Sequence, residues 1–282
     1  MENFVYETPT KVYFGKEEEL NVGKIIAGYA PKKVLVHFGG QSARKSGLLD
    51  RVEKALEAEG IAYVELGGVT ANPELKLVRE GIALCQREGV DFVLAVGGGS
   101  VLDSSKDIAN GVANPDIDVW DFSLGKCVPQ KTLRKGAILT LAAAGSEMSN
   151  SCVITNVETN EKRGYGCSCN RMDFAVENPE LTYTVSPYQT ACGIVDIAMH
   201  TIERYFCPGE DTYLTHAIAE AVKTKEIQVL YNPHPEDGIS SSVKIGLNAS
   251  LDADAVLFTV SDQPWLTSET ICELIHVFLN TS

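Results

Sequence analysis

The chemistry that this sequence suggests first is metal binding on a helix. Asp196 and His200 lie four residues apart in GIVDIAMHTIERYF, residues 193–206, where apolar residues recur at helical spacing. Positions i and i+4 share a helix face, so the pattern brings a carboxylate and an imidazole together. Such a pair supplies part of a divalent ion's ligand set and leaves the rest to other residues, water or substrate. Taken alone, it also fits a solvated carboxylate beside a structural histidine.

A second candidate site is the glycine-rich turn in AVGGGSVLDSSK, residues 95–106. It follows an apolar run with strand character and opens a helix, so Gly97, Gly98 and Gly99 permit a ligand to approach the backbone closely. Amides at a helix N-terminus bind phosphate groups, and the pattern therefore indicates a pyrophosphate site. It is not the common G-x-G-x-x-G fingerprint, and a tight turn without a ligand is the alternative.

The segments that must position these residues alternate between strands and helices. From residue 31 onward, apolar runs such as KKVLVHFGG and VDFVLAVGGG are separated by amphipathic segments such as LLDRVEKALEAEG. This order requires parallel strands joined by right-handed crossovers. The sequence predicts an α/β fold with a doubly wound, Rossmann-like nucleotide-binding domain, whose ligands bind beyond the carboxyl ends of the strands.

The character of the sequence changes twice after this domain. We expect the nucleotide-binding domain to cover residues 1–185, a helical region to cover 186–225 and an α/β fragment to cover 226–282. The helical pattern begins after Pro187 with YQTACGIVDIAMHTIERYF. Beyond about Lys223, the runs EIQVLYNPHPEDG and ADAVLFTV again have the character of strands and turns.

Composition limits the possible partners and the compartment. The chain has 282 residues and a net charge of −14 at pH 7, which argues against a nucleic-acid or anionic-membrane surface. Neither a signal peptide nor a membrane-spanning run is recognisable, so we expect a cytoplasmic protein. Its eight cysteines are scattered without the spacing of zinc or redox motifs, which favours reduced thiols.

Three motifs in fixed order resemble the iron-containing alcohol dehydrogenase family, and its butanol dehydrogenase branch in particular. They are GGGSVLD at 97–103, LTLAAAGSE at 139–147 and GIVDIAMHTIE at 193–203. Further likeness, in PTKVYFGK and NPELTYTVSPYQTACGIVD among others, extends over about residues 1–222. The resemblance implies an NAD(P)-dependent oxidoreductase acting on a small alcohol or aldehyde. A divalent iron or zinc ion would polarise the substrate oxygen while hydride passes to or from the nicotinamide.

The resemblance also implies which residues serve the site. Asp196 and His200 match two of the metal ligands, and no further catalytic residue is implied. The residues expected to line the cofactor's phosphates and nicotinamide ribose are Gly97, Gly98, Gly99, Ser100 and Asp103, with Thr140, Ser146 and Lys162 completing the groove. Ala144 stands where close relatives carry a hydroxyl residue, which removes a hydrogen bond to the cofactor of about 1 kcal/mol.

The segment LVHFGGQSARKSG is expected to determine whether NAD(H) or NADP(H) is preferred. A carboxylate at the end of this strand would bind the ribose 2′-hydroxyl and repel a 2′-phosphate, and none is present. Gly39, Gly40 and Ser42 leave room and donors, while Arg44 and Lys45 add positive charge. The sequence favours NADP(H) over NAD(H), with merely solvated basic residues as the alternative.

The metal site is not completed by a recognisable motif. In this family two later histidines complete it, whereas His216, His234 and His276 of this chain lack the family's spacing. Within residues 231–275 the chain instead has NPHPEDGISSSVKIGL at 232–247 and, after an apolar run, Asp262 in SDQP. This segment resembles the middle of a MobA-like nucleotidyltransferase, a molybdenum-cofactor cytidylyltransferase. In that family the aspartate that matches Asp262 helps to hold Mg²⁺ on the nucleotide.

The two resemblances predict a junction near residues 222–227, between a truncated helical domain and a nucleotidyltransferase-like fragment. We therefore expect a metal-dependent alcohol dehydrogenase or aldehyde reductase that is truncated and impaired. One alternative is an inactive nucleotide-binding module, which would bind the cofactor without turnover. Another is a nucleotidyltransferase, although residues 1–225 offer no matching triphosphate loop. A homodimer is a further prediction.

Overall fold

A computed structural model of the chain describes residues 8–205, and side chains as far as Asp196. The residues up to Val185 form one compact unit, and the chain from Ser186 onward belongs to a second. The sequence features that fall outside the described residues are the predicted junction, the α/β fragment, Asp262 and the histidines His216, His234 and His276.

From β2 to α5 the described elements follow one another in the predicted alternation of strand and helix. The strands are β1 (Lys11–Phe14), β2 (Val34–Phe38), β3 (Tyr63–Leu66), β4 (Phe92–Gly97), β5 (Arg134–Leu139), β6 (Ser151–Asn156), β7 (Glu161–Gly166) and β8 (Phe174–Glu177). The helices are α1 (Val22–Ala27), α2 (Ser42–Lys45), α3 (Leu48–Ala58), α4 (Leu75–Glu88), α5 (Gly99–Ala113), α6 (Trp120–Ser123) and α7 (Pro187–Tyr205). Short 3₁₀ turns cover Glu18–Asn21, Ser168–Asn170 and Pro179–Thr182.

Six strands form one parallel sheet in the order β1-β8-β5-β4-β2-β3. The chain moves outward from β2 to β3 and then returns to the other side of β2 with β4. This reversal is a topological switch point, where the loops after the two neighbouring strands diverge and leave a crevice. The predicted α/β, doubly wound fold is therefore confirmed.

Both faces of the sheet are covered, which explains why its central strands are apolar throughout. Alternate residues of β4 point to opposite faces. Phe92, Leu94 and Val96 pack in one cluster with residues of α1 and α3, whereas Val93 packs in another with residues of α4 and α5. All of β2 and β4 is buried, as expected for parallel strands between two helical layers.

The buried His37 links strands β2 and β3 to helix α5. His37 on β2 hydrogen-bonds through Nδ1 to the carbonyl oxygen of Leu66 at 2.8 Å and through Nε2 to Ser104 Oγ at 2.8 Å. Because a carbonyl only accepts, Nδ1 carries the proton and Nε2 accepts from the serine hydroxyl. Complete burial lowers the pKa of His37 to about 4, so the ring is neutral.

The antiparallel hairpin of β6 and β7 is separate from the main sheet and packs on α5. Tyr165 of β7 donates its hydroxyl proton to Asp107 Oδ1 at 2.7 Å and accepts from Asn110 Nδ2 at 2.9 Å. Asp107 is completely buried, and desolvation raises the pKa of its carboxyl to about 8, so it is protonated at neutral pH. A polar seam of neutral groups thus attaches the hairpin to α5.

Within residues 8–205, no helix combines the length and the hydropathy of a membrane-spanning segment.

Candidate cofactor and metal site

The loops that follow β2, β3, β4 and β5 meet at the carboxyl edge of the sheet. The amide of Thr140, after β5, donates to the carbonyl oxygen of Gly97 at the end of β4 at 3.2 Å. The amide of Gly68, after β3, donates to the carbonyl oxygen of Gly39 after β2 at 2.8 Å. The glycine-rich turns therefore lie at the switch point, as the sequence pattern predicts.

The three glycines of the turn differ in what they contribute to the fold. None has a positive φ. A Cβ on Gly97 would lie 2.6 Å from Val101 Cγ2, so packing within the protein requires glycine there. At Gly98 the nearest atom, Leu141 Cβ, would be at 3.4 Å, and at Gly99 the nearest, Ser146 Cβ, would be at 4.0 Å. The fold itself would accept alanine at Gly99, and the open volume there suits close approach of a ligand.

That open volume lies in front of a helix N-terminus. Gly98 is extended and caps α5, a helix of 15 residues. The first amides of this helix, those of Gly99 and Ser100, have no acceptor within the helix and lie at the positive end of its dipole. The half-buried Ser100 adds a hydroxyl at the same place. These groups fit the pyrophosphate of a dinucleotide, which needs donors and a backbone without side chains.

Gly40, after β2, is also open. A Cβ on Gly40 would meet nothing within 4 Å, whereas one on Gly39 would lie 3.4 Å from the carbonyl oxygen of Val69. Ser42 and Lys45 on the following short helix are exposed. The loop therefore offers unobstructed space and two exposed polar side chains at the predicted 2′-phosphate position.

Arg44, unlike the exposed Lys45, is paired with carboxylates of the protein. Its guanidinium forms ion pairs with Glu53 of α3 and Glu65 of β3 and lies 5.7 Å from the centre of the Phe38 ring. These carboxylates raise the pKa of Arg44 above its ordinary value. Its charge is therefore balanced by carboxylates of the protein itself, which the sequence did not indicate.

Asp103 and Ser146 lie together, as expected for residues of one groove, but they bond to each other. Asp103 Oδ1 accepts from Ser146 Oγ at 2.7 Å and from Lys106 Nζ at 3.4 Å. Asp103 Oδ2 accepts from the amide of Val153 at 3.1 Å. Both carboxylate oxygens are thus used by the fold. The sequence interpretation missed Lys106, although its place three residues after Asp103 on one helix was a usable signal.

Lys162 belongs to the hairpin and is exposed. Its Nζ donates to Asn72 Oδ1 at 2.8 Å, in the loop between β3 and α4. The hairpin is attached to the same loop, because the amide of Thr155 donates to the carbonyl oxygen of Pro73 at 2.8 Å. Lys162 is therefore placed beside the β3 loop and does not share in the hydrogen bonds of Asp103 and Ser146.

The loop from Thr140 to Asn150, which carries most of the LTLAAAGSE motif, also borders a cavity that the sequence did not predict. This cavity, of about 280 Å³, lies at the ends of β1, β5 and β8, and its lining includes Phe14, Leu139, Glu147 and Glu177. Desolvation and the nearby Glu147 raise the pKa of Glu177. Ala144 is exposed in the same loop and supplies no hydroxyl.

The metal pair lies on α7, in the second unit. Asp196 is exposed, and the backbone of His200 follows one turn later on the same helix, while the His200 side chain lies outside the described region. Carboxylate oxygen and imidazole nitrogen are suitable donors for divalent iron or zinc. In the described part of the chain, no three His, Cys, Asp or Glu side chains come together as metal ligands.

Two sequence models of protein families match the chain. The one described as iron-containing alcohol dehydrogenase matches residues 9–179, and the one described as MobA-like NTP transferase domain matches residues 199–282. The second match begins before the predicted junction at 222–227, and the position of that junction remains a prediction.

Similar proteins agree with the first of these models. NADH-dependent butanol dehydrogenase A of Clostridium acetobutylicum is 45% identical over 222 residues, covering 79% of this chain and 57% of the relative. NADPH-dependent aldehyde reductase YqhD of Escherichia coli is 37% identical over 224 residues, with the same coverage.

The crystal structure of NADH-dependent butanol dehydrogenase A from Thermotoga maritima superposes with a TM-score of 0.72 at 39% identity, covering 79% of this chain and 55% of that one. The chain thus spans little more than half the length of these relatives. The family model, the identities and the shared sheet together show that the chain belongs to the iron-containing alcohol dehydrogenase family.

Proposed function

We propose that the chain binds a nicotinamide dinucleotide at the switch point between β2 and β4, for hydride transfer with a small alcohol or aldehyde. The observation that carries this proposal is the open volume at Gly99, in front of the α5 N-terminus and beside Ser146. Thr140 lies at the same turn, with its amide bonded to Gly97. Family membership supports it, and the names of the relatives include butanol dehydrogenases and an aldehyde reductase. When bound, the nicotinamide supplies or accepts the hydride.

Within this proposal the phosphates bind the glycine-rich turn. The amides of Gly99 and Ser100 would donate to the pyrophosphate, and Thr140 would contribute its hydroxyl from the end of β5. Lys162 would approach from the hairpin, exchanging its bond with Asn72 for one with the nicotinamide ribose. Asp103 would act through Ser146, because its own oxygens are already bonded within the protein.

We further propose that NADP(H) is preferred over NAD(H). Gly39 and Gly40 leave space after β2, where the sequence has no acid, and the exposed Ser42 and Lys45 can bind a 2′-phosphate. Lys45 would supply the free positive charge, since Arg44 is engaged by two glutamates. The names of the relatives include both NADH-dependent and NADPH-dependent enzymes, so both cofactors must be measured.

The test is a titration of nicotinamide fluorescence with NADPH and NADH at equal ionic strength. We expect tighter binding of NADPH and a selective loss of that preference in Lys45→Gln. Tighter binding of NADH would refute the preference, and the absence of binding by either cofactor would refute the dinucleotide site.

Asp196 and His200 are proposed as two ligands of a divalent iron or zinc ion. When bound, the ion would supply a Lewis acid to the substrate oxygen. Two donors one turn apart hold such an ion weakly, because most of its coordination sphere remains water. We therefore expect this chain to reduce aldehydes poorly, in keeping with the proposed truncation of its helical domain.

The assay is NADPH oxidation with butanal in the purified chain, with and without added Fe²⁺ or Zn²⁺. We expect cofactor binding with little turnover. Strong metal-dependent turnover that His200→Ala abolishes would contradict the expected impairment. Binding without any turnover under all metal conditions would favour the alternative of an inactive nucleotide-binding module.

A nucleotidyltransferase activity is a second candidate, favoured by the family match at residues 199–282. Asp262 would be its Mg²⁺-binding residue. Mg²⁺-dependent transfer of CMP from CTP to the phosphate of molybdopterin, with release of pyrophosphate, would support this candidate over the dehydrogenase if the purified chain performs it and Asp262→Asn does not. A homodimer and a cytoplasmic location remain predictions, and sedimentation equilibrium tests the first of them.

A further inference from the structure

The turn that follows β7 carries two half-buried cysteines, Cys167 and Cys169. The amide of Cys167 donates to the carbonyl oxygen of Asn150 at 3.0 Å, and Cys169 lies within the 3₁₀ turn Ser168–Asn170. Because Ser168 is helical, the Cα atoms of the two cysteines are about 5 Å apart, which is within the range of disulfides. Both are free thiols in this structure. The backbone therefore already holds them at a distance that a disulfide can bridge.

Lys135, near the amino end of β5, places a buried ammonium close to these thiols. Its side chain is 1% exposed, and among the described residues its Nζ donates only to Thr132 Oγ1, at 2.8 Å, and joins no ion pair. The carboxylate of Asp173 is already bonded to Arg134 Nη1 at 2.6 Å and to the backbone amide of Lys135 at 2.9 Å. Two of the three donors of the ammonium thus have no acceptor in the described region, which is costly for a buried charge.

The two cysteines can supply the negative charge that this ammonium lacks. Desolvation lowers the pKa of Lys135 to about 8, and negative charge on Asp173, Cys169 or Cys167 opposes that lowering. Desolvation likewise raises the pKa of Cys167, and the amides of Asn170 and Cys169 and the nearby ammonium oppose the rise. A thiolate is the reactive form of cysteine in exchange with disulfides. The same ammonium disfavours a soft metal ion, which two thiolates would otherwise bind.

We propose that Cys167 and Cys169 form a thiol–disulfide site for low-molecular-weight disulfides such as glutathione disulfide, with Lys135 as the cation that stabilises the attacking thiolate. In the first step, the Cys167 thiolate attacks one sulfur of glutathione disulfide, which forms a mixed disulfide and releases one glutathione thiolate that takes up a proton. In the second step, the Cys169 thiolate attacks Cys167 Sγ and releases the second glutathione. The two cysteines are oxidised to one disulfide, and glutathione disulfide is reduced to two glutathione molecules.

This site is independent of the proposed dinucleotide site. Lys135 lies near the amino end of β5, whereas the glycine-rich turns lie at the carboxyl edge of the same parallel sheet. The turn that bears the two cysteines instead serves the hairpin, because Asn170 Oδ1 accepts from Asn110 Nδ2 of α5 at 2.8 Å. Oxidation therefore closes a ring in the turn through which the hairpin is attached to α5.

The test is mass spectrometry of the reduced 282-residue chain after incubation with glutathione disulfide in native buffer. The reaction is stopped with acid, the remaining thiols are alkylated in denaturant, and the chain is digested. Trypsin releases GYGCSCNR, residues 164–171, which contains Cys167 and Cys169 and no other cysteine. We expect this peptide to have lost two hydrogens, while the buried Cys85 and Cys152 are found alkylated. Dithiothreitol should restore both thiols, because a ring that spans one intervening residue is strained.

The role of the ammonium is tested by Lys135→Met, which removes the charge and keeps most of the volume. We expect closure of the disulfide to be at least about threefold slower, because the attacking cysteine has less thiolate character. Lys54→Met, on the exposed face of α3, removes one positive charge elsewhere and should close at the wild-type rate. Cys169→Ser keeps Lys135 and should stop at the mixed disulfide, with glutathione on Cys167, which gives a readout if Lys135→Met does not fold.

Three results would overturn the inference. In the first, GYGCSCNR from the folded wild type keeps both thiols or carries glutathione without closing. In the second, Lys135→Met closes as fast as the wild type and Lys54→Met. In the third, Cys169→Ser acquires no glutathione on Cys167. None of these results bears on the binding of NADPH or NADH, so the proposed function is tested separately.

Discussion

Replacement of Asp107 by asparagine should stabilise the protein, and the gain should grow with pH. The carboxyl is completely buried and its pKa is raised from 3.8 to about 8, so the folded state keeps a proton that the unfolded chain releases above pH 4. Folding stability must therefore fall as pH rises between about 4 and 8. At about 1.4 kcal/mol per unit, this one group costs roughly 4 kcal/mol by pH 7.

Asparagine mimics the protonated acid in this site. Its side-chain oxygen can accept from the Tyr165 hydroxyl as Asp107 Oδ1 does, and its amide takes the place of Oδ2, which has no partner among the described residues. Asparagine does not ionise, so the pH-dependent cost disappears while the attachment of the hairpin is kept. Asp107→Ala, which removes the acceptor as well, is the contrasting variant and should weaken the hairpin's attachment.

The assay is urea unfolding at pH 5, 6, 7 and 8, followed by tryptophan fluorescence. The quantity to compare is the difference in unfolding free energy between Asp107→Asn and the wild type, because the other titrating groups cancel in it. This difference should favour the variant increasingly up to about pH 8. A difference that is independent of pH, or a variant that is less stable than the wild type at pH 8, would refute the reasoning.

Three further predictions concern separate parts of the fold. His37, whose pKa is lowered from 6.5 to about 4, should make the protein lose up to roughly 3 kcal/mol as pH falls through that range, and His37→Gln should reduce this loss in urea unfolding. Gly81→Ala should destabilise by about 1–3 kcal/mol, because its Cβ would lie 2.5 Å from Ile108 Cδ1; an unchanged midpoint would contradict this close packing. Lys45→Gln should weaken NADPH binding more than Arg44→Gln, and the reverse order in a fluorescence titration would show that Arg44 leaves its glutamates for the cofactor.

The sequence was sufficient for the architecture because the signals involved are local. The apolar runs of β2 and β4 and the amphipathic patterns of α3 and α4 identify a parallel sheet between helices, and the order of elements determines the crossovers. β7 was not predicted, because its residues EKRGYG are mostly exposed and give no apolar alternation. An exposed hairpin strand forms because it pairs with a neighbouring strand, and the pattern of apolar residues in the sequence does not reveal that pairing.

The candidate site could be predicted only in part, because several of its bonds join residues that are far apart in the sequence. The position of the glycine-rich turn follows from the strand that precedes it. The bonding of Asp103 depends on Ser146, far along the chain, and the neutralisation of Arg44 depends on glutamates of two other elements. Such pairings arise only after the loops are folded. The residue types alone therefore suggested that Asp103 and Arg44 were available to the cofactor, whereas in the structure both are paired within the protein.

Gly99→Ala shows whether the volume in front of Gly99 is kept open for a dinucleotide. The added Cβ would meet only Ser146 Cβ, at 4.0 Å, and the backbone is unstrained, so the variant should be as stable as the wild type. Gly28→Ala, at the end of α1, is the control, because Gly28 lies outside the proposed cofactor groove and also lacks a positive φ. We expect Gly99→Ala to weaken NADPH binding at least about tenfold and Gly28→Ala to leave it unchanged. Wild-type affinity in a fully folded Gly99→Ala variant would contradict the proposed binding site.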